Sequence, residues 1–300
     1  MKELRELAKS LLTSKTVNLV IGYEEVADPA RWPEEGPRGV RPAFVTDPAD
    51  ADRLVFDSRC VQNLATYLSP RRTHLVALGK AAVVVKGCDA RAVAGLVREG
   101  QVRREDVVLI GVRCGGVVRD PRRGPGLTEQ DVSDRCAGCE DREPKLFDHV
   151  VGTLPPAPPS STRRADALAR LAGMSAAERW TFWKETLSRC VRCYACREIC
   201  PMCFCVQCIA DRNRPQWLDT SPTTRGNVAW HMTRALHQAG RCVDCLECER
   251  ACPERIPLGL LGRHVAQAVE RRFGYRASAD PAVPAPLGVY RTDDEEEFIL

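Results

Sequence analysis

The run Cys190-Val-Arg-Cys193-Tyr-Ala-Cys196-Arg-Glu-Ile-Cys200-Pro201 returns later in the chain as Cys242-Val-Asp-Cys245-Leu-Glu-Cys248-Glu-Arg-Ala-Cys252-Pro253. Each copy reads C-x-x-C-x-x-C-x-x-x-C-P. With that spacing three thiolates wrap one 4Fe–4S cubane, while the fourth, set off by a proline, reaches the neighbouring cluster. Proline blocks continuation of the turn and so fixes where the fourth thiolate leaves. The expected assignment is crosswise: Cys190, Cys193, Cys196 and Cys252 on cluster 1, with Cys242, Cys245, Cys248 and Cys200 on cluster 2. A structural zinc site closes with four ligands in two pairs and would leave thiolates unused here. A disulfide framework belongs to short chains in oxidising compartments.

The rest of the composition is ordinary. The 300 residues are enough for two domains, and 44% hydrophobic with 28% charged residues is the mix of a globular protein. A net charge of +4, with no concentrated basic face, argues against a nucleic-acid partner. Arg163-Arg164 and Arg271-Arg272 read as solvated surface, as does the acidic run from Asp293 to Glu297. The first twelve residues are interrupted by charges and read as an amphipathic helix, without the apolar core of an export signal. No stretch has the roughly 18 apolar residues of a membrane span, so no membrane insertion is expected. Thiol-rich motifs without export point to a reducing cytoplasm, of an anaerobe.

Proline and hydroxylated residues crowd Thr153-Leu-Pro-Pro-Ala-Pro-Pro-Ser-Ser-Thr162, a semi-rigid spacer by composition. It divides an α/β domain (1–152) from a helical one (175–275), with residues 153–174 as linker and 276–300 as an extended acidic tail. In the first half Val17–Tyr23 and Ala43–Thr46 look like strands, and a helix is expected around Val61–Leu68. Ala81–Val85, a helix over about Ala90–Glu99 and Val107–Val112 form a βαβ unit within a mostly parallel sheet. The second half opens on Ser175-Ala-Ala-Glu178, a capping box. Forty-one residues separate the two motifs, including a helical stretch from Asn227 to Ala239. So long a helical insert favours the helical over the β-hairpin type of two-cluster ferredoxin. His231 and His237 on that insert read as packing or surface residues, and Trp180, Trp183 and Trp230 as core.

Eight further cysteines remain. Cys88 and Cys114 follow successive strands, at the sheet edge where open α/β folds place their ligands. With Cys136-Ala-Gly-Cys139 they would make a third cluster. Cys203, Cys205 and Cys208, joined by Cys60, would make a fourth, or a zinc site. The bland reading of an isolated cysteine such as Cys60 is a small buried hydrophobe.

The block Val83-Val-Val-Lys-Gly-Cys-Asp-Ala-Arg-Ala-Val-Ala-Gly-Leu96, with Ile110-Gly-Val-Arg-Cys-Gly-Gly116 and Cys136-Ala-Gly-Cys139, resembles the beta-subunit family of coenzyme F-420 hydrogenases and dehydrogenases. The helical half is similar to the dicluster electron-transfer subunits of heterodisulfide reductase, and the combination resembles formate dehydrogenase beta subunits. The resemblance implies a flavin, usually FAD, and in some members a deazaflavin substrate. It also implies partners, the other subunits of a redox complex. No G-x-G-x-x-G fingerprint follows the strands. Asp120-Pro-Arg-Arg-Gly-Pro-Gly126 reads as a surface turn.

The leading expectation is an electron-transfer subunit of a multi-subunit oxidoreductase. The alternative is a flavoenzyme subunit that exchanges hydride with a deazaflavin or nicotinamide, since flavin converts hydride to single electrons. A scaffold whose metal only holds the fold is the third reading. No catalytic residue is assigned by the sequence.

Overall fold

Strands β3 (Ala81–Val85) and β4 (Val107–Val112) are apolar at nearly every position and buried at all of them, which requires cover on both faces of the sheet. The computed structural model describes residues 1–26, 39–290 and 292–293. Five strands form one sheet in the order β2-β1-β3-β4-β5. Strand β1 (Leu19–Val26) pairs antiparallel with β2 (Gly39–Val45), then parallel with β3. The parallel run continues through β4 to the short edge strand β5 (His149–Val151). The sheet is thus mixed rather than uniformly parallel. β2, at the edge, alternates buried and exposed residues as a strand with one wet face does.

Helix α1 (Lys2–Thr13) buries Leu4, Ala8, Leu11 and Leu12, a stripe at helical spacing. The segment expected as a helix over Val61–Leu68 is instead a 3-10 turn, Leu64–Leu68. Asn63 starts it by accepting a hydrogen bond from the Ala65 amide, and Leu64, Ala65 and Thr66 are all buried, leaving no wet face for an α-helix. A single turn, α2 (Thr73–Val76), precedes β3. Helix α3 (Gly87–Arg98) joins β3 to β4, and its buried face completes the core with Ala90, Val93 and Leu96.

The proline segment does not stand free. A Cβ on Gly115 or Gly116 would come within 2.9 Å of Pro155 or Pro158, so the segment lies directly against the loop after β4. Within the stretch expected as spacer, the Ala- and Leu-rich residues Arg163–Gly173 form helix α4. Next come α5 (Ala176–Ser188), the one-turn α6 (Ala195–Glu198), α7 (Thr224–His237), the one-turn α8 (Glu247–Arg250) and α9 (Leu258–Phe273). The capping box of α5 forms: the Ser175 hydroxyl accepts from the Glu178 amide and the Glu178 carboxylate from the Ser175 amide. A second core gathers Trp183, Leu187, Trp230, Ile256 and Leu261. Trp180 is not in it; only Trp183, Thr186 and Leu187 of α5 are buried, and Trp180 is 54% exposed. Most of the acidic run after Asp293 lies outside the described residues. Among the described residues no helix is long and apolar enough to cross a membrane.

Candidate iron–sulfur sites

Each C-x-x-C-x-x-C run is coiled by residues that are rarely left-handed. Arg192 and Tyr194 have φ of 57° and 59° in the first copy; Asp244 and Leu246 have 61° and 55° in the second. Non-glycine residues pay strain to sit there. Left-handed residues in such turns can direct neighbouring amide N–H groups toward one side, as in the nests found around phosphates and iron–sulfur centres. The Arg192 amide lies 3.4 Å from Cys190 Sγ. In both copies the third cysteine then sits in a one-turn helix, α6 or α8, and the fourth follows it.

The cysteines gather in three places. Cys190, Cys193, Cys196 and Cys252 line one small cavity, closed by Trp230, His231 and Ile256. Cys242, Cys245, Cys248 and Cys200 line a second, together with His231 and Arg234. Each set therefore takes its fourth member from the other motif. The sets are close, since Cys248 lies in the electrostatic reach of both Cys242 and Cys196. Cys88, Cys114, Cys136 and Cys139 line a third, larger cavity of about 520 Å³, which Cys242 also borders.

The third set is assembled by the α/β half. Cys88 lies in the first turn of α3, and its neighbour Lys86 is fixed in the core by Asp89 at 2.8 Å and the Gln62 carbonyl at 2.9 Å. Amides point at two of the sulfurs: Gly116 to Cys114 at 3.4 Å and Val117 to Cys136 at 3.3 Å. The loop carrying Cys136 and Cys139 reaches Cys88 because residue 87 is glycine. A Cβ there would stand 2.7 Å from the Asp141 carbonyl carbon and closer still to its oxygen. Gly87→Ala is accordingly expected to destabilise the protein by about 1–3 kcal/mol by overpacking against backbone, read as a lower urea midpoint.

The remaining four cysteines differ in setting. Cys60 is fully buried in the α/β core; its sulfur receives the Asp57 amide at 3.4 Å, and burial pushes its pKa up to about 12. Its charged surroundings are Asp57, Lys86 and Arg59. Cys203 touches Cys200 and receives the Gln238 side-chain N–H at 3.3 Å. Cys205 is exposed and Cys208 half-buried. Among the described residues no three Cys, His, Asp or Glu converge tightly enough for a single metal ion. A cubane asks something different, with each thiolate on its own iron around a central volume.

Two buried arginines that sequence reasoning passed over, and a histidine that it did not connect to the cysteines, stand at these sites. Arg192 donates to Asn227 Oδ1 (3.0 Å) and the Asp219 carbonyl (2.7 Å), and Asn227 donates to the Cys190 carbonyl at 2.8 Å, pinning the start of α7 to the first motif. Arg135, beside Cys136, crosses between the halves to Glu247 at 3.2 Å and to the carbonyls of Cys245 and Val61. His231, read from the sequence as a packing or surface residue, is buried, yet neither ring nitrogen has a partner. Burial drives its pKa down to about 3, so the ring is neutral. The signal available was the spacing of His231, Arg234 and Gln238, one face of a helix otherwise rich in apolar residues. His237 is exposed.

This chain is similar to formate dehydrogenase beta subunits. The F420-dependent formate dehydrogenase subunit beta of Methanocaldococcus jannaschii is 30% identical over 109 residues, 36% of this chain and 28% of that protein. The F420-dependent formate dehydrogenase 1 subunit beta of Methanococcus maripaludis is 23% identical over an alignment of 295 positions, 70% of this chain and 76% of that protein. The chain thus spans little more than a quarter of the first relative and about three quarters of the second. No protein-family model matches it.

Proposed function

We propose that this chain is an iron–sulfur electron-transfer subunit of an oxidoreductase complex of the formate dehydrogenase, hydrogenase or heterodisulfide reductase kind, working in a reducing cytoplasm. The observation that carries the proposal is the pair of cavities, each lined by three cysteines of one motif and the fourth of the other. Cys190, Cys193, Cys196 and Cys252 would hold one 4Fe–4S cluster, Cys242, Cys245, Cys248 and Cys200 a second, and Cys88, Cys114, Cys136 and Cys139 a third. Cys203, Cys205 and Cys208 would serve a further centre, for which the core position of Cys60 offers little support. Such clusters supply reversible one-electron chemistry. The chain's own contribution is the amides that point at the sulfurs, the cationic side chains and the exclusion of water, which together set how strongly added negative charge is held. The other subunits of the complex are the proposed partners.

The test is anaerobic reconstitution followed by reductive titration. A broad visible absorption that bleaches reversibly, with a low-temperature electron paramagnetic resonance (EPR) signal in the reduced state, is expected; metal that shows no reversible reduction would mean that it only holds the fold.

A second reading draws on the F420-dependent relatives and on the third cavity, whose volume of about 520 Å³ is that of a pocket for an organic ligand. In it the chain also binds a flavin and exchanges hydride with a deazaflavin or nicotinamide. A stoichiometric yellow cofactor released on denaturation would favour that reading.

Thiol ionisation gives a pH dependence for the cluster-free chain. Burial raises Cys196 and Cys248 from the ordinary 9.0 to about 12, and Cys114 to about 11. Below about pH 9 these thiols are protonated folded or unfolded and cost nothing; above it the unfolded chain ionises first, so stability falls as pH rises toward the folded values. The urea midpoint of the reduced, metal-free chain is expected to hold up to about pH 8 and to fall from about pH 9 toward about pH 11. Loading releases protons, so cluster affinity should weaken in the acid direction.

A further inference from the structure

Arg234 is a half-buried cation with no carboxylate within 4 Å among the described residues. Its Nη2 donates to the Cys196 carbonyl at 3.0 Å and its Nε has no partner. Among the described residues Lys86 pairs with Asp89 at 2.8 Å, Arg91 with Asp141 at 2.9 Å and Arg135 with Glu247 at 3.2 Å, whereas Arg192, also without a carboxylate within 4 Å, donates to Asn227 Oδ1 and to the Asp219 and Gly226 carbonyls. Leaving a buried charge without a counter-charge is expensive. The groups that surround Arg234 electrostatically are instead the sulfurs of Cys203, Cys200, Cys248 and Cys196.

One turn earlier on α7, His231 lines both dicluster cavities, and both of its ring nitrogens are buried without partners. Its ring meets Trp230 edge-on, with centroids 4.6 Å apart, which fixes the plane of the imidazole. Gln238, two turns from His231, ties the other end of the stripe to the first motif through the Met202 carbonyl (3.2 Å) and Cys203 Sγ (3.3 Å). The insert between the motifs thus presents a cation and an unsatisfied donor to the eight cysteines.

We propose that His231 and Arg234 tune the reduction potentials of the two clusters, Arg234 as a permanent counter-charge beside the Cys200, Cys242, Cys245 and Cys248 set and His231 as an N–H donor standing between the sets. The proposal rests on the cluster reading above. A fixed positive charge and a hydrogen bond to sulfur both favour the more negative, reduced state, so each raises the potential. Neither residue is a ligand; both are positioning and tuning groups.

The experiment is a potentiometric titration followed by EPR on the full chain, with iron and sulfide measured on the same samples. Arg234→Met is expected to keep its iron, to shift the second cluster to more negative potential and to shift the first less; Arg234→Lys, which restores the charge, should return most of the shift. Arg234→Met with wild-type iron and unshifted potentials overturns the role of Arg234, as does an equal shift in Arg234→Met and Arg234→Lys. The wild-type chain labelled with ¹⁵N-histidine provides a readout that needs no variant to fold. Pulsed EPR of its reduced state should detect a coupled ring nitrogen, and the lack of any coupling overturns the role of His231. A wild-type chain that takes up no iron would overturn the cluster reading and this proposal together, and is told apart by the metal assay.

Discussion

Cys200→Ala is expected to remove the cluster of the second motif while sparing that of the first, although Cys200 belongs to the first. Cys200 lines the cavity of Cys242, Cys245 and Cys248, whereas Cys190, Cys193 and Cys196 face Cys252. Iron should fall by about four atoms per chain, the content of one cubane. The EPR spectrum that remains should match that of Cys245→Ala and differ from that of Cys193→Ala. Cys252→Ala should do the converse. A Cys200→Ala spectrum that matches Cys193→Ala would mean that each motif closes on itself. The polypeptide consequence is large as well, because each cluster would staple segments about fifty residues apart, and such closure stabilises by restricting the unfolded chain.

Arg135→Leu is expected to cost about 3–5 kcal/mol, from the two buried carbonyls that lose their donor and from the loss of one of the two cations of Glu247. The Arg135 and Glu247 side chains are 6% and 1% exposed, and the same guanidinium satisfies the carbonyls of Cys245 and Val61. Arg250, at 2.7 Å, would be left as the carboxylate's cation. The contact spans the two halves: Val61 belongs to the first, Cys245 and Glu247 to the second motif. Urea unfolding of wild type, Arg135→Leu and Arg135→Lys decides it. Lysine should restore only part of the loss, since it keeps the charge but not the fork that reaches two carbonyls and a carboxylate. A change below about 1 kcal/mol for Arg135→Leu would place the pair with solvent-exposed ones.

What the sequence disclosed was what local spacing controls. The cysteine motifs, the capping box of α5 and the β3–α3–β4 unit all follow from neighbours within a few residues. Cys88, Cys114, Cys136 and Cys139 could be grouped because strand ends define one edge of a sheet. Less legible were features that depend on distant partners. Whether β2 runs antiparallel to β1 is decided by pairing, not by the composition of Gly39–Val45. Helix α4 was masked by the prolines before it, and the 3-10 turn at Leu64–Leu68 by its uniform burial. The polar stripe of α7 was written in the sequence but unreadable as such, because only the packing of α7 onto both motifs distinguishes His231 and Arg234 from the exposed His237.

The most direct test of the account is iron, acid-labile sulfide and zinc per chain on an anaerobically prepared sample, with flavin assayed alongside. About eight irons with as much sulfide are predicted if the two motifs alone are loaded, and about twelve if the Cys88 set is loaded too. A chain that holds zinc, or no metal, and no sulfide would contradict the account at its centre.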